Sequence, residues 1–442
     1  MKYQNGPIRA ALSVLLVSMT SLVLAQDGET PSESKSFTAG KQYVEEISTL
    51  AKKPVIVSAF KYIMQLEPET RQNLITLTEI PAPPYKEQKR AAKFMEMVKA
   101  IGVDSLWVDQ AGNVIALKKG KNGKKKVVLE GHLDTVFPDG TDVTVKEKGD
   151  TLMAPGIGDD TRGLAVLLAV MKSMKQANVK TEADVYFVGT VGEEGLGDLR
   201  GVKQLFESGL KIDSYIAIDG GGIGGITTGA VGSHRYQVKF KGPGGHSYGA
   251  FGLANPHNAS ARAVYYFIKD ADAYTRTPGE KTTYNVGVVG GGTSVNAIPF
   301  ESWMEVDMRS ESPQRLAAVD TLLQKAISKA LAEENQMKRS GKDLTVEVKL
   351  MGDRPSGGQE ATVPLIQKAM ASATFLGAAP NLSFSSTNSN IPISKGIPAV
   401  TIGKGGRGGG AHALNEWWVN DQGHLAIENA LLILVSEAGL AK

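Results

Sequence analysis

Acids and histidines recur in this chain where an apolar run gives way to a glycine-rich turn. The first case is GHLDTVFP, residues 131–138, which follows the apolar run 127–129. Side chains alternate along a strand, so His132 and Asp134 project to one side. That pairing suits a metal ligand and the carboxylate that orients it. GIGDDTRGL comes next and sets Asp159 and Asp160 at the entrance to an apolar helix. A helix cap would account for one of those acids, not both. The expected buried strand 183–191 then leads into Gly192-Glu193-Glu194-Gly195. Two adjacent carboxylates at the end of a buried strand are costly unless a cation compensates them. A further strand, residues 214–218, ends at Asp219, and much later His412 stands in the glycine run KGGRGGGAHALNEW. Taken singly, each has an ordinary explanation: a solvated pair, a cap, a loop histidine. Taken together they are delivered to the carboxyl ends of successive strands, where an α/β sheet gathers its ligand-binding loops.

The donors are two histidines and three carboxylates, with one glutamate to spare. Nitrogen and oxygen ligands of this mix suit zinc or a similar divalent first-row ion, cobalt and manganese included. Five donors exceed one tetrahedral site that keeps a position open, and they suffice for two ions if one carboxylate bridges. Two such ions would make water nucleophilic at neutral pH and polarise a carbonyl. The spare glutamate would take the water's proton and pass it to a leaving nitrogen. That chemistry is metal-assisted amide hydrolysis.

Two sets of elements must position these groups. Residues 41–78 carry helical periodicity, broken at Pro54 and restarted after Pro68, and a second helix is expected over 86–101. Short strands at 105–108 and 113–117 precede the alternating strands and helices that carry the first four motifs. At about Val231 the pattern changes to strand 235–241, helix 256–271, strands 284–289 and 303–309, helix 313–338 and strand 344–350. This β-α-β-β-α-β order is that of a ferredoxin-like α+β domain inserted into the first. The alternating scheme resumes with a helix over 363–376, a strand over 399–403 and a terminal helix over 421–438. The expected fold is therefore α/β. A catalytic domain with a mixed central sheet flanked by helices takes residues 41–231 and 352–442, and the inserted domain takes 232–351. Closure of the two about hinges near 229–232 and 350–352 is expected.

The motif set resembles the co-catalytic zinc peptidases that include glutamate carboxypeptidase, peptidase T, aminoacylase, acetylornithine deacetylase and succinyl-diaminopimelate desuccinylase. The resemblance runs from EIPAPP, residues 79–84, through nearly all of the remaining chain, inserted domain included. It implies that His132 and Asp219 bind one metal, that Glu194 and His412 bind the other, and that Asp159 bridges. It further implies that Asp134 steadies His132 and that Glu193 is the general base. By the same resemblance His246, in GGHSYG, stabilises the oxyanion, in dimeric members at the partner subunit's site. Asn296 and Arg309 match positions that contact substrate, and the inserted domain becomes a lid and dimerisation domain. Two departures bear on substrate. Asp159-Asp160 continues with Thr161-Arg162-Gly163 where the family has Lys and small residues, and STNSNIP, 386–392, is closer to the peptidase-like branches.

Composition narrows the class of protein. Lys and Arg number 49 against 46 Asp and Glu, so nothing in the charge points to nucleic acid. The chain has no cysteine, which excludes disulfides and thiolate metal sites. Lys2 and Arg9 precede an apolar stretch over 10–24 with small residues before Ala25, the pattern of a signal peptide cleaved there. A polar leader, 26–40, is expected to be disordered. The expectation is an exported, periplasmic or secreted homodimeric metallopeptidase, an exopeptidase or di/tripeptidase of carboxypeptidase type, free of the membrane once the signal is cut. An N-acyl-amino-acid deacylase of the same family is the alternative within enzymes. An aminopeptidase of the related one-domain type is disfavoured by the second domain lying between Asp219 and His412. A catalytically silent peptide binder is the alternative outside enzymes, and it would have no use for a spare glutamate.

Overall fold

Strands that are apolar on both faces organise the larger lobe, because each must be covered twice. Along Lys126–His132, Val127 and Leu129 face one buried cluster while Val128 faces another. Asp184–Thr190 and Ser214–Gly220 repeat that division. Such strands belong in the middle of a parallel sheet with helices on both sides. The computed structural model describes residues 37–442, and it places these three strands side by side and parallel. Ala399–Gly403 continues the parallel run beside Ser214–Gly220. The outer strands make the sheet mixed, since Val114–Lys118 pairs antiparallel with Asp184–Thr190 and Gly225–Ala230 antiparallel with Ala399–Gly403. Helices Thr161–Gln176 and His424–Ala438 are buried almost all round in the larger core, and Arg200–Glu207 covers the opposite face. Among the described residues no helix is long and apolar enough to cross a membrane.

Gly163 shows why these helices sit so close to the sheet. A Cβ there would lie 2.2 Å from the Ile218 carbonyl oxygen and 2.3 Å from an Asp160 carboxylate oxygen. Only glycine lets the first turn of Thr161–Gln176 press onto the strand that ends at Asp219.

The inserted lobe is a four-stranded antiparallel sheet in the order Thr282–Gly291, Glu301–Ser310, Gly232–Lys241, Thr345–Arg354. Helices Pro256–Thr275 and Pro313–Met337 pack on one face, with Phe240, Phe267, Met304 and Leu323 in the core between. The β-α-β-β-α-β order and the strand arrangement are those of a ferredoxin-like domain. The closing strand runs on to Arg354, beyond the expected end of the insertion.

Several local expectations are corrected. The helical run does break before Pro54, which opens Pro54–Gln65, but it restarts at Glu67 and not after Pro68, which lies in the first turn of Glu67–Thr78, where no amide hydrogen is needed. The glycine run before His412 enters regular structure, and His412 itself lies in the turn that follows. Arg407–Gly409 and Trp417–Val419 form a hairpin that extends through Thr151–Met153 to Lys146–Lys148. Gly406, at φ 73°, would put a Cβ 2.5 Å from the Trp418 ring nitrogen, so close packing accounts for that glycine. The signal peptide lies outside the described residues. At the end of the expected leader, Phe37 and Ala39 pack on the main core and the Gly40 amide donates to Gln367 Oε1 at 2.7 Å.

Candidate active site

The metal-ligand candidates converge. His132 ends its strand buried, with Nδ1 3.0 Å from the carbonyl oxygen of Asp134. A carbonyl only accepts, so Nδ1 carries the proton and the Nε2 lone pair faces the cleft. There Nε2 lies 3.2 Å from Asp159 Oδ1 and 3.8 Å from Asp219 Oδ1. The other Asp159 oxygen is 3.1 Å from His412 Nε2, which is also 3.1 Å from Glu194 Oε1. Asp159 thus turns one oxygen to each of two donor groups, His132–Asp159–Asp219 and Asp159–Glu194–His412. An ion with arms of about 2.0–2.1 Å holds neighbouring donors about 3.3 Å apart, so both groups fit a divalent ion. As it stands, His412 is pushed up to about 10 by hydrogen bonds to Asp159 and then Glu194. For His132, burial works against the charged ring but is outweighed by the carboxylates of Asp134, Asp159 and Asp219, and the net shift is upward. A divalent ion between these nitrogens and carboxylates would take the place of the proton they share.

The supporting residues differ in part from expectation. Asp134 is buried, but its nearer carboxylate oxygen is 3.7 Å from His132 Nδ1, beyond hydrogen-bond reach. It instead accepts the backbone amides of Glu193 at 3.0 Å and Glu194 at 2.8 Å, fixing the turn that carries both. Its backbone carbonyl is what orients His132. Asp160 does not cap the helix it precedes; its Oδ2 accepts the His132 amide at 3.0 Å.

Glu193 also lies within donor reach of His132 and Glu194, and Arg354 distinguishes it from them. Arg354 Nη1 donates to Glu193 Oε1 at 3.2 Å and to Ser386 Oγ at 3.0 Å, and Nη2 donates to the Glu193 carbonyl. Burial pushes Glu193 up to about 8, with Arg354 the largest opposing influence. The inserted lobe meets the same turn again: Arg235 of strand Gly232–Lys241 donates to the Gly195 carbonyl at 2.7 Å and to Asp307 Oδ1 at 2.8 Å.

Three supporting residues escaped the sequence reading: Arg354, Glu416 and Lys404. Glu416 accepts the amides of Gly156, Gly158 and Asp159 at 2.6, 2.8 and 2.8 Å, holding the loop that presents Asp159. Lys404 Nζ lies 3.3 Å from Asp219, 3.6 Å from Asp160 and 3.8 Å from Asp159. It follows the strand Ala399–Gly403 as Asp219 ends its neighbour, so the rule that selected the acids would have found it had cations been sought.

Arg309 lines the cleft of about 390 Å³ that holds Asp159, Glu193 and His412, together with Arg235 and Arg354. His246 and Asn296 do not line it. They sit side by side on exposed loops of the inserted lobe, where the Ser247 amide donates to the Asn296 carbonyl at 2.9 Å and His246 pairs with Ala297. The structure therefore brings together every candidate except these two.

A mixed α/β lobe with an inserted ferredoxin-like lobe, and two N/O donor groups sharing one carboxylate at the sheet's carboxyl edge, define a metal-dependent hydrolase of amide bonds. The sequence profile of peptidase family M20/M25/M40 matches residues 128–434, more than half of the chain, and the chain belongs to that family. The uncharacterised protein YqjE of Bacillus subtilis is 27% identical over 309 residues, 67% of this chain and 77% of its own. Carboxypeptidase G2 of Pseudomonas sp. is 26% identical over 232 residues, 50% of this chain and 53% of its own. Among solved structures, a tripeptidase from Staphylococcus aureus superposes with a TM-score of 0.68 at 24% identity, covering 84% of this chain and 99% of that one. That likeness confirms the fold. The chain is thus an enzyme of the metallopeptidase and amidohydrolase class.

Proposed function

We propose that this protein is an exported, two-metal exopeptidase or N-acyl-amino-acid hydrolase acting on small substrates. The observation that carries the reading is Asp159 facing two complete donor groups with Glu193 held beside them. The residues that would hold the ions are His132, Asp159 and Asp219 on one side and Asp159, Glu194 and His412 on the other, and zinc is the first choice for this donor set. Two divalent ions there supply the charge that makes water nucleophilic at neutral pH and polarises the scissile carbonyl.

This chain's own residues do the rest. Glu193, the only acid of the cluster gripped by an arginine, takes the proton from the attacking water. As the C–N bond breaks, it delivers that proton to the leaving nitrogen. Asp134 and Arg354 keep its carboxylate aimed into the cleft. Arg309, whose side chain is 42% exposed and braced by Asp307 at 2.8 Å, is placed to receive a substrate carboxylate. His246 and Asn296 act at the site of a second copy. The apolar side chains exposed on the same face, Tyr248, Phe251, Val295 and Phe300, support pairing of the inserted lobes.

The test is metal content and amide hydrolysis, with and without chelator, for wild type and Glu193→Gln. About two ions per chain are expected in both proteins, with turnover lowered at least about 10²-fold in the variant. Full activity in the variant would remove Glu193 from the reaction.

A further inference from the structure

Asp159 and Asp219 line two cavities, not one. On one side is the arginine-lined cleft already described. On the other is a larger cavity of about 670 Å³ between the turn Gly220–Gly222 and the loop Lys404–Gly409. A substrate whose scissile carbonyl sits at these carboxylates therefore extends one half into each space. Charge assigns the halves. Arg235, Arg309 and Arg354 make the first a place for an anion, the free carboxylate of the leaving amino acid, while Arg407 of the second is paired with Asp421 at 2.8 Å. The second then receives the group on the carbonyl side.

The second cavity has two distinguishing properties. Half of its lining residues are glycines, set beside Trp417 and Trp418, and a Cβ built on Gly221 or Gly222 would meet nothing within 4 Å. Glycine is thus required there by neither packing nor a positive φ, and what it leaves is room. Its inner end is closed by Lys404, whose ammonium already covers Asp219, Asp160 and Asp159. Lys404 is held in that place, since the buried Arg162 donates to its carbonyl at 3.2 Å and to that of Gly423 at 2.9 Å while stacking on Trp418. The carboxylates that could receive a substrate's α-ammonium on this side are therefore already occupied by an ammonium of the protein.

We propose that the glycine-walled cavity is the acyl arm of the active site, and that Lys404 makes it accept a neutral acyl group in place of a free α-amino group. The inference rests on the amide-hydrolase reading and deepens it. The substrates it names are N-acyl amino acids and blocked peptides with a bulky acyl side, not free dipeptides.

The experiment compares two probes that differ only in that amino group, phenylalanyl-alanine and N-(3-phenylpropanoyl)-alanine, with N-acetyl-alanine as the small acyl control. In metal-replete full-length protein, kcat/KM for the phenylpropanoyl probe should exceed that for the dipeptide at least about tenfold, because like charges are being opposed. Lys404→Met, its metal content measured alongside, should shrink that ratio. Gly222→Leu, whose Cβ meets nothing within 4 Å, should lower the phenylpropanoyl-to-acetyl ratio at least about tenfold, with Gly221→Leu as an independent repeat. A wild type that cleaves the dipeptide as well as or better than its deaminated twin overturns the inference and leaves the hydrolase reading standing. So do Gly221 and Gly222 variants with an unchanged size preference. Cleavage of none of the three probes by the wild type overturns both.

Discussion

Replacing Arg354 with Met should expose how Glu193, the proposed general base, is held in a buried site. The guanidinium contacts Glu193 twice, with Nη1 3.2 Å from Oε1, and the two side chains are 5% and 6% exposed. At an effective dielectric constant of about 20, unit charges at this distance attract by about 5 kcal/mol. Removing one partner of such a buried pair costs about 3–5 kcal/mol, because the other charge is left uncompensated. The cost depends on pH. Burial, opposed chiefly by Arg354, already places Glu193 at about 8, above its unfolded value of about 4.3. The folded state therefore keeps a proton that the unfolded state releases, and stability falls as pH rises through this window. Without the arginine the folded pKa moves further up and the loss continues above pH 8. Urea unfolding of chelator-treated protein at pH 6 and pH 8.5 should show Arg354→Met to be less destabilising at the lower pH. Adding Glu193→Gln should restore at least about 2 kcal/mol at the higher pH, since a neutral amide needs no counter-charge. Additive costs for the two substitutions, or a penalty independent of pH, would refute the pairing as the reason Arg354 is there.

Two further outcomes follow from packing and burial elsewhere. Glu428, partly buried on helix His424–Ala438, is pushed up to about 7 by burial alone, so its penalty is absent below about pH 4.5 and full above about pH 7. Glu428→Gln should raise stability by about 1–2 kcal/mol at pH 8 after allowance for its exposure, and should change nothing at pH 4. A thermal shift equal at both pH values would show burial is not the cause. Gly163→Ala drives a methyl into the Ile218 carbonyl and the Asp160 carboxylate, and should cost about 2–3 kcal/mol. Because Asp160 holds the His132 amide, the same variant should bind metal more weakly by titration, and an unchanged affinity would separate the helix from the site.

The metal-ligand candidates were legible in the sequence because strand periodicity and acid placement are both local signals. A histidine or carboxylate ending an apolar run announces itself within ten residues, as His132, Glu194 and Asp219 do, and Asp159 does so at the entrance to an apolar helix. The inserted lobe was legible for the same reason, its strands and helices being long and strongly periodic. Contacts that depend on distant segments were not. The small sheet that carries His412 pairs Trp417–Val419 with Thr151–Met153, two three-residue strands far apart in sequence, and periodicity over three residues carries no information. Asp134, besides standing 3.7 Å from His132 Nδ1, holds the Glu193 and Glu194 amides. That second task was not legible, because strand alternation reports where a side chain points while those amides arrive from another strand's turn.

Lys404 and Arg354 share a different cause. A dense group of carboxylates was read as a demand for metal ions, so cations supplied by the chain were not sought. Yet the same desolvation argument that makes buried acids costly requires compensation from any nearby positive charge, and a lysine or arginine at a strand end supplies it as directly as an ion does. The two cations also divide the work by position. Arg354 ends the inserted lobe's closing strand and grips Glu193, so the proposed proton transfer would depend on how the lobes meet. Lys404 follows a strand of the catalytic sheet and is braced from behind by Arg162, so it stays with the carboxylates whatever the lobes do. Closing the lobes over a substrate would therefore adjust the base and the arginine-lined cleft while leaving the acyl arm unchanged. On the proposed reading, recognition of the acyl group would precede closure and alignment of Glu193 would accompany it.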